Sequence, residues 1–302
     1  MNRKHLALAV AFSLGLVACN QSHTVRTQKV DEASVITSLS ESEKVNVLFQ
    51  AYFDETMQMN PISATYVGIN DYNDRFSAPI NQQNLAQFLA LEETYLAEIK
   101  SIDASALNGQ ELLSYEIFLR DREIAIKGEQ FPGHLMPIHQ MGGAHSYFAS
   151  LGSGKSAQPF NTADDYRHFM SRAQGFATYM DSAIVAMKQG IEKSIVLPKP
   201  LIKKVLPQLQ VHLVEDVTQS VFYAPLETLK ENENITDVVK KHITKDYIDT
   251  IKNIIIPAYG RMHQFMQQSY LPKGRDTVGL HDLPDGKAWY EFRIETNTTL
   301  PL

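Results

Sequence analysis

The chain has 302 residues, of which 44% are hydrophobic and 21% are charged, and its formal net charge is −6. A chain of this length and composition can bury a core without disulfides or metal ions. The acidic balance argues against a nucleic-acid-binding protein, because no basic stripe is available to neutralise phosphates.

The N-terminus has the features of an export signal. A basic start is followed by an apolar run, Leu6–Val17, that is too short to span a bilayer. The run closes on Ala18-Cys19, which resembles the lipobox of bacterial lipoproteins. That resemblance predicts a signal peptide over residues 1–18 and a lipid, palmitate included, on Cys19. Asn20 is not the aspartate that retains such lipoproteins at the inner membrane, so an outer-membrane lipoprotein on the periplasmic side is favoured. The alternative is an ordinary secretory signal.

Residues 19–40 are rich in Ser, Thr, Gln and charge and lack an apolar period, which predicts a flexible tether. Ser40 and Glu43 then form a predicted capping box, and apolar residues follow at helical spacing. Asn60-Pro61 is predicted to end this first helix. The next stretch, to residue 78, is rich in Gly, Asn and Asp and predicts loop and turn.

Two helices, near residues 81–102 and 110–127, are predicted to form an antiparallel pair. Residues 131–156 contain five glycines and no apolar period, which predicts a loop. The longest amphipathic pattern begins at Thr162, a predicted N-cap, and Gly190 is predicted to stop it. A helix of this length must bury its apolar stripe against other helices, so we expect it to be the spine of the fold.

Two further long helices are predicted, over residues 201–217 with a bend at Pro207 and over residues 235–271 with a kink at Pro257. The stretch Trp289–Ile294 alternates in the manner of a β-strand. The predicted fold is therefore mainly α. It is a multi-helix array of long kinked helices with a short β-strand or hairpin near the C-terminus, and residues 41–302 form one helical domain.

Three histidines, His134, His139 and His145, lie in the glycine-rich segment. Imidazoles suit transition metals, so one hypothesis is a metal-binding lipoprotein. Their spacing places no two of them on one helical face, which favours histidines that cap backbone groups or meet water. None of the ten histidines is followed by glutamate, so the zinc-peptidase motif His-Glu-x-x-His is absent. The sequence therefore predicts no catalytic residue and no metal ligand in this chain.

Several stretches together resemble one known family. They are Asn60–Gly68 with Tyr72, Gln158–Pro200, Val221–Leu226, and Gly279–Tyr290 running into Thr298-Thr299. In this order, behind a lipobox, they resemble the bacterial family called domain of unknown function 885, over about residues 41–302. The resemblance implies a helical zinc peptidase, typically about twice as long, whose His-Glu-x-x-His helix lies in the second half.

On that resemblance this chain corresponds to the non-catalytic N-terminal half, and zinc is expected only in the other half. The half is predicted to form one wall of a cleft for a peptide substrate, with Tyr290 and Arg293 in contact with it. A competing interpretation packs Trp289 and Tyr290 in the core. A separate chain that supplies the C-terminal half is one expected partner, and the membrane, through Cys19, is another. The alternative function is a non-enzymatic envelope lipoprotein that binds peptides or a partner protein.

Overall fold

The computed structural model describes residues 39–77 and 80–298, and these residues form a mainly helical fold as predicted. In chain order the helices are α1 (Glu41–Met59), α2 (Pro61–Tyr66), α3 (Gln82–Lys100), α4 (Gly109–Gly128), α5 (Ala144–Gly152), α6 (Ala163–Glu192), α7 (Lys199–Gln210), α8 (Ala224–Glu231), α9 (Asp237–Thr250), α10 (Ile256–Phe265) and α11 (Gly286–Thr298). Within the described ranges, β-pairing is limited to two isolated bridges, between His139 and Gly142 and between Pro198 and Arg275.

Helix α6 is the spine that the sequence predicts. Thr162 caps its start, and the Asp165 side chain bonds back to the Thr162 amide to complete a capping box. The helix is 30 residues long, and its apolar stripe is buried against the elements around it. We call the part of the fold built on α6 with α5 and α7–α10 the main body. An aromatic cluster fills its centre, where Phe148 of α5 stacks on Phe176 of α6 with ring centroids 3.9 Å apart.

Helices α1, α3 and α4 form a separate three-helix bundle with its own small core. Its buried hydrophobic residues are Val45, Leu48, Leu91, Tyr95, Ile99, Ile102, Leu107 and Tyr115. The predicted capping box at Ser40 and Glu43 starts α1, and the predicted pairing of α3 with α4 is confirmed. A buried polar layer crosses the bundle, because Arg122 of α4 forms an ion pair with Glu92 of α3 and lies over the ring of Tyr52, 4.0 Å from its centroid.

Two segments predicted as loops each contain a short helix. Asn60 does end α1, but its side chain also accepts a hydrogen bond from the Ser63 amide and so starts α2 with Pro61 in the first turn. Helix α5 lies inside the glycine-rich segment and buries His145, Phe148, Leu151 and Gly152. Both helices are too short for a periodic pattern to be distinct, which is why the sequence did not separate them from loop.

The predicted stop at Gly190 is also wrong, because α6 continues to Glu192. Gly190 is needed for close approach. A Cβ there would lie 2.6 Å from the Ile195 carbonyl oxygen and 3.0 Å from that of Leu135, which is too close for a side chain. The glycine therefore lets two neighbouring segments pack directly on the backbone of the spine.

The predicted helix over residues 235–271 is one run with two interruptions. A π-helical turn at Ile251–Ile255 separates α9 from α10, and a second, at Met266–Tyr270, follows α10. The first interruption comes just before Pro257, which has no amide hydrogen to donate to the helix. Helix α7 contains Pro207, as predicted, but ends at Gln210.

The predicted strand Trp289–Ile294 is wrong, because these residues lie in α11. The turn before it is present, with the Gly286 amide bonded to the Leu283 carbonyl at 2.8 Å and Asp285 at φ +53°. Trp289 and Phe292, one helical turn apart, both stack on Phe131. Helical spacing thus places both rings on one packed face, and this tertiary contact outweighs the strand preference of the aromatic residues.

Residues 1–38 lie outside the described residues, so the predicted signal peptide, most of the tether and Cys19 are not placed. From Ser40 on, the described residues form one compact unit. In the described part of the chain, no helix combines the length and the apolar character needed to cross a membrane.

Candidate functional site

A series of three adjacent depressions follows α3, from α1 and the loop at residues 75–77 at one end to α6 at the other. Its first section, about 600 Å³, is lined by Glu55, Gln58, Met59, Arg75, Ser77, Asn84, Gln87, Phe88, Ala90, Leu91 and Thr94. A narrow middle section of about 170 Å³ shares Ser77 and Asn84 with it. The last section, about 480 Å³, shares Ile80, Asn81 and Ser182 with the middle one. Each section shares lining residues with the next, and we call the three together the α3–α6 groove.

A buried arginine fixes the loop at the first section. Arg172 of α6 has no exposed surface and donates to the carbonyl oxygens of Tyr72 and Arg75, at 2.8 Å each. It also donates to the Thr65 hydroxyl at 2.8 Å and to Gln158 Oε1 at 2.5 Å. Burial lowers the pKa of Arg172 to about 10, so the side chain remains protonated at neutral pH. One guanidinium therefore ties α2, the loop after it and residue 158 to the spine.

The same loop lies directly on the backbone of α6 at Gly175. A Cβ on Gly175 would be 3.0 Å from Phe76 Cβ and 3.1 Å from the Phe76 carbonyl oxygen. The Phe76 ring then packs edge-on against Phe176, with centroids 5.5 Å apart. Gly175 lets the loop approach α6 closely, and the Arg172 guanidinium holds the carbonyls of the loop. Together these two residues fix the loop that lines the groove.

The last section of the groove is built where the turn Gly133–Leu135 meets the end of α6. Gly190 allows this approach, since the Leu135 carbonyl lies where its side chain would be. His134 is consequently half-buried beside Lys193, and both line the groove. Burial, and then the positive charge of Lys193, lower the pKa of His134. Near neutral pH this imidazole is therefore neutral and able to donate or accept one hydrogen bond.

The charges differ between the two end sections. In the first, Arg75 forms an ion pair with Asp74 at 3.6 Å, and Glu55 accepts a hydrogen bond of 2.8 Å from Tyr95. In the last, Lys193 is the charged lining residue, and none of the described lining residues is acidic. Amide side chains, a hydroxyl and apolar side chains make up the rest. This arrangement can bind an extended polar ligand, but it contains no paired nucleophile and base.

The three histidines of the glycine-rich segment do not come together. His145 is buried and its Nε2 lies 3.1 Å from Gln208 Oε1, whereas His139 is exposed and His134 faces the groove. Across the described ranges, no three His, Cys, Asp or Glu side chains are grouped closely enough to hold a metal ion. The described residues therefore offer no site that fits a zinc ion.

The predicted substrate-contact residues lie elsewhere, on α11. Tyr290 is 54% exposed and Arg293 is exposed, and neither lines the α3–α6 groove. The interpretation that packs Trp289 and Tyr290 in the core is confirmed for Trp289, which is 6% exposed and stacks on Phe131 with ring centroids 5.8 Å apart. It is wrong for Tyr290. The role of Tyr290 and Arg293 in substrate contact stays a prediction.

Sequence reasoning missed Arg172, although a signal was present. It lies three residues after Phe169 and four before Phe176, so it falls on the apolar stripe of α6. An arginine at a stripe position is buried by the same periodicity that buries its neighbours, and it must then find several acceptors. For Lys193 no such signal exists, because it follows the helix and is exposed.

Two comparisons with known proteins returned a match. The family model described as "Bacterial protein of unknown function (DUF885)" matches residues 61–302. Among solved structures, the chain is similar to the crystal structure of "the putative lipoprotein from Colwellia psychrerythraea", with a TM-score of 0.73 and 15% sequence identity. The similarity covers 87% of this chain and 47% of that one, so the chain spans about half the length of the structure it matches. At this identity the match shows a common fold. No curated protein matches the sequence.

Proposed function

Because this chain belongs to the DUF885 family of bacterial proteins, we propose that it is a lipid-anchored cell-envelope protein that binds peptides. Its helical body would correspond to the non-catalytic N-terminal half of a fold that resembles zinc metallopeptidases, and would form one wall of the substrate cleft. The observation that carries this proposal is the fold match, which aligns nearly all of this chain with about half of a longer protein.

The α3–α6 groove is the surface that suits a peptide. Peptide backbones present alternating donors and acceptors, and the groove offers uncharged amide side chains from Gln58, Asn84 and Gln87 in its first section. Phe88 and Leu91 line the same section and provide apolar contact for side chains. Elongated shape and mixed polarity are features of sites that bind extended chains.

Hydrolysis would require groups that this sequence does not contain. Zinc peptidases hold the metal with two histidines one helical turn apart and a third ligand, and a glutamate in the motif activates water. Without His-Glu-x-x-His, the chain alone is expected to bind peptides and leave them intact. The C-terminal half that the family resemblance implies would add zinc and catalysis.

The anchor and location rest on Cys19 and its lipobox. The solved neighbour is itself described as a "putative lipoprotein", which supports a cell-envelope location. We propose the outer membrane, on the periplasmic side, with the lipid on Cys19. Replacing Cys19 with serine should move the protein from the membrane fraction to the soluble one. Membrane association that persists in Cys19→Ser and resists high salt would contradict the anchor.

Peptide binding and catalysis can be tested together. The full chain in detergent is incubated with a pool of unstructured peptides, and mass spectrometry records which are retained and which are cleaved. Retained, uncleaved peptides are expected, and cleavage should begin when the C-terminal half of a full-length relative is added, and stop with a zinc chelator.

The outcomes separate the two functions. Binding without cleavage even after that addition would favour the non-enzymatic peptide-binding lipoprotein. Cleavage by this chain alone would mean that it carries its own catalytic groups. No retained peptide at all would overturn peptide binding in either form.

A further inference from the structure

We propose that the His134–Lys193 end of the α3–α6 groove recognises a carboxylate group on the bound peptide. The peptide would place its free C-terminus, or an acidic side chain, beside Lys193. This inference rests on the proposed peptide binding and names the chemical feature by which a ligand is selected. It also gives the ligand a direction in the groove.

Lys193 is the permanent charge at this end and is free to act on a ligand. It follows the last residue of α6, is exposed, and makes no ion pair with any residue that the structure describes. Exposed lysines often have no ion-pair partner, so the lack of one does not by itself indicate a binding site. What distinguishes Lys193 is that it stands at the wall of a recess of about 480 Å³ rather than on a convex surface.

His134 provides a hydrogen-bonding group on the same wall. Its ring makes no hydrogen bond with any described residue, although it is half-buried. The position is fixed by the tight packing of the turn Gly133–Leu135 on Gly190, where the Leu135 carbonyl would lie 3.0 Å from a Cβ. A neutral imidazole held beside an ammonium group can donate one hydrogen bond to an oxygen that the ammonium attracts.

The remaining lining residues favour a carboxylate over a more highly charged anion. Asn81, Gln82, Ser182 and Gln189 are polar but uncharged, and Ile80, Leu85, Val185 and Ala186 are apolar. A phosphate carries more charge and is usually held by several cations or by a cradle of backbone amides. One lysine with a neutral histidine, next to apolar surface, matches a single negative charge attached to an organic chain.

The opposite end of the groove does not offer the same chemistry. Arg75 is already paired with Asp74, at 3.6 Å, and Glu55 contributes negative charge to the same section. A carboxylate would meet repulsion from both acids there. The charge difference between the ends therefore orients the ligand, with its carboxylate toward Lys193.

The test compares one peptide in three forms by isothermal titration calorimetry against the full chain in detergent. The probes are an N-acetylated alanine–leucine hexapeptide with a free C-terminus, the same peptide amidated, and an amidated version that ends in glutamate. The variants are Lys193→Gln and, as a matched control, Lys188→Gln, an exposed lysine of α6 that does not line the groove.

The free acid should bind about tenfold more tightly than the amide, which corresponds to roughly 1.4 kcal/mol. Lys193→Gln should abolish this difference, and Lys188→Gln should preserve it. Equal binding of the glutamate-ended amide and the free acid would support carboxylate recognition and show that an acidic side chain suffices. Tighter binding of the free acid alone would support it and identify the peptide C-terminus as the source.

Equal binding of the acid and both amides to the unmodified protein would overturn carboxylate recognition while peptide binding stands. A preference for the acid that survives Lys193→Gln would overturn the assignment of this site. If none of the three peptides binds, the inference fails together with peptide binding in the groove.

Discussion

The main body and the three-helix bundle bury polar side chains in two different ways. In the main body, buried polar groups bond mostly to backbone oxygens. Arg172 holds the carbonyls of Tyr72 and Arg75, and Tyr259 donates to the His145 carbonyl at 2.6 Å. In the bundle, buried polar groups bond to one another through side chains, as in the ion pair of Arg122 with Glu92.

The bundle network joins all three of its helices. Tyr52 of α1 donates to Glu92 of α3 at 2.9 Å, and Arg122 of α4 lies over its ring. Burial raises the pKa of Tyr52 to about 12, so its hydroxyl stays protonated at neutral pH and acts as a donor. Tyr95 of α3 donates to Glu55 of α1 at 2.8 Å in the same manner.

This difference in bonding predicts how substitutions lower the stability of each region. A side chain bonded to several carbonyls cannot be replaced by changing a single partner, since backbone oxygens remain whatever residue is substituted. A side chain paired with another side chain can be compensated, because its partner can be changed too. The main body should therefore be sensitive at single residues, and the bundle should show coupling between pairs.

The largest effect is expected for Arg172→Met. The substitution leaves buried acceptors at Tyr72, Arg75 and Gln158 without donors, and each costs about 1–3 kcal/mol. We expect the free energy of unfolding, measured by urea denaturation, to fall by about 3–5 kcal/mol. Arg167→Met on the same helix removes an exposed ion pair with Asp164 and should change it by less than about 0.5 kcal/mol.

Because Arg172 positions the loop at the first section of the groove, the same variant should also lose peptide binding at temperatures where it is still folded. A loss of stability below about 1 kcal/mol would contradict the view that this guanidinium ties the loop to the spine.

The second prediction concerns the bundle. Arg122→Met should lower the free energy of unfolding by about 2–3 kcal/mol, because Glu92 is left as a buried charge without its cation. Adding Glu92→Gln to this variant should recover at least about half of the loss. Lys100→Met, which breaks an exposed ion pair with Glu123, serves as the control and should be nearly silent. Additive effects of the two core substitutions would contradict the pairwise character of the bundle.

How far the sequence predicts the fold depends on whether the deciding contact is local or distant along the chain. Local signals predict the structure correctly, as in the capping box at Ser40 and the N-cap at Thr162, because cap and partner lie three residues apart. The mainly α class and the spine helix follow from a periodicity sustained over many turns. Helix α11 was misread because its Trp-Tyr-Glu-Phe-Arg-Ile segment combines strand-forming residues with alternation, and the partner that decides, Phe131, is about 160 residues away.

The groove could not be predicted for a related reason. Its walls come from residues near positions 55, 75–94, 134 and 175–193, and the chain brings them together through packing of small residues. Gly175 and Gly190 look like interruptions in the pattern of α6, and one of them was read as its end. At both glycines another segment of the chain packs on the backbone of α6, and only the folded structure shows which segment that is.

The smallest expected effect is a pH dependence confined to the main body. His212 packs against Tyr259 in a tilted arrangement with ring centroids 4.3 Å apart, and burial, with a smaller contribution from His145, lowers its pKa to about 4. In the unfolded chain a histidine has a pKa near 6.5. Between these values the unfolded state binds a proton that the folded state does not. The free energy of unfolding should therefore fall as the pH drops through 6.5 toward 4, and this contribution levels off below 4.

Between pH 7 and pH 5 the loss from this residue is at most about 2 kcal/mol, since part of the ring meets solvent. The variant His212→Phe keeps a ring against Tyr259 and Phe222 but cannot take up the proton. Urea denaturation at the two pH values should therefore show a smaller loss in His212→Phe than in the unmodified protein. His168→Gln, at an exposed position of α6, should leave the loss unchanged. Equal losses in the unmodified protein and His212→Phe would mean that the acid sensitivity lies elsewhere, with the carboxylates of the bundle as the next groups to test.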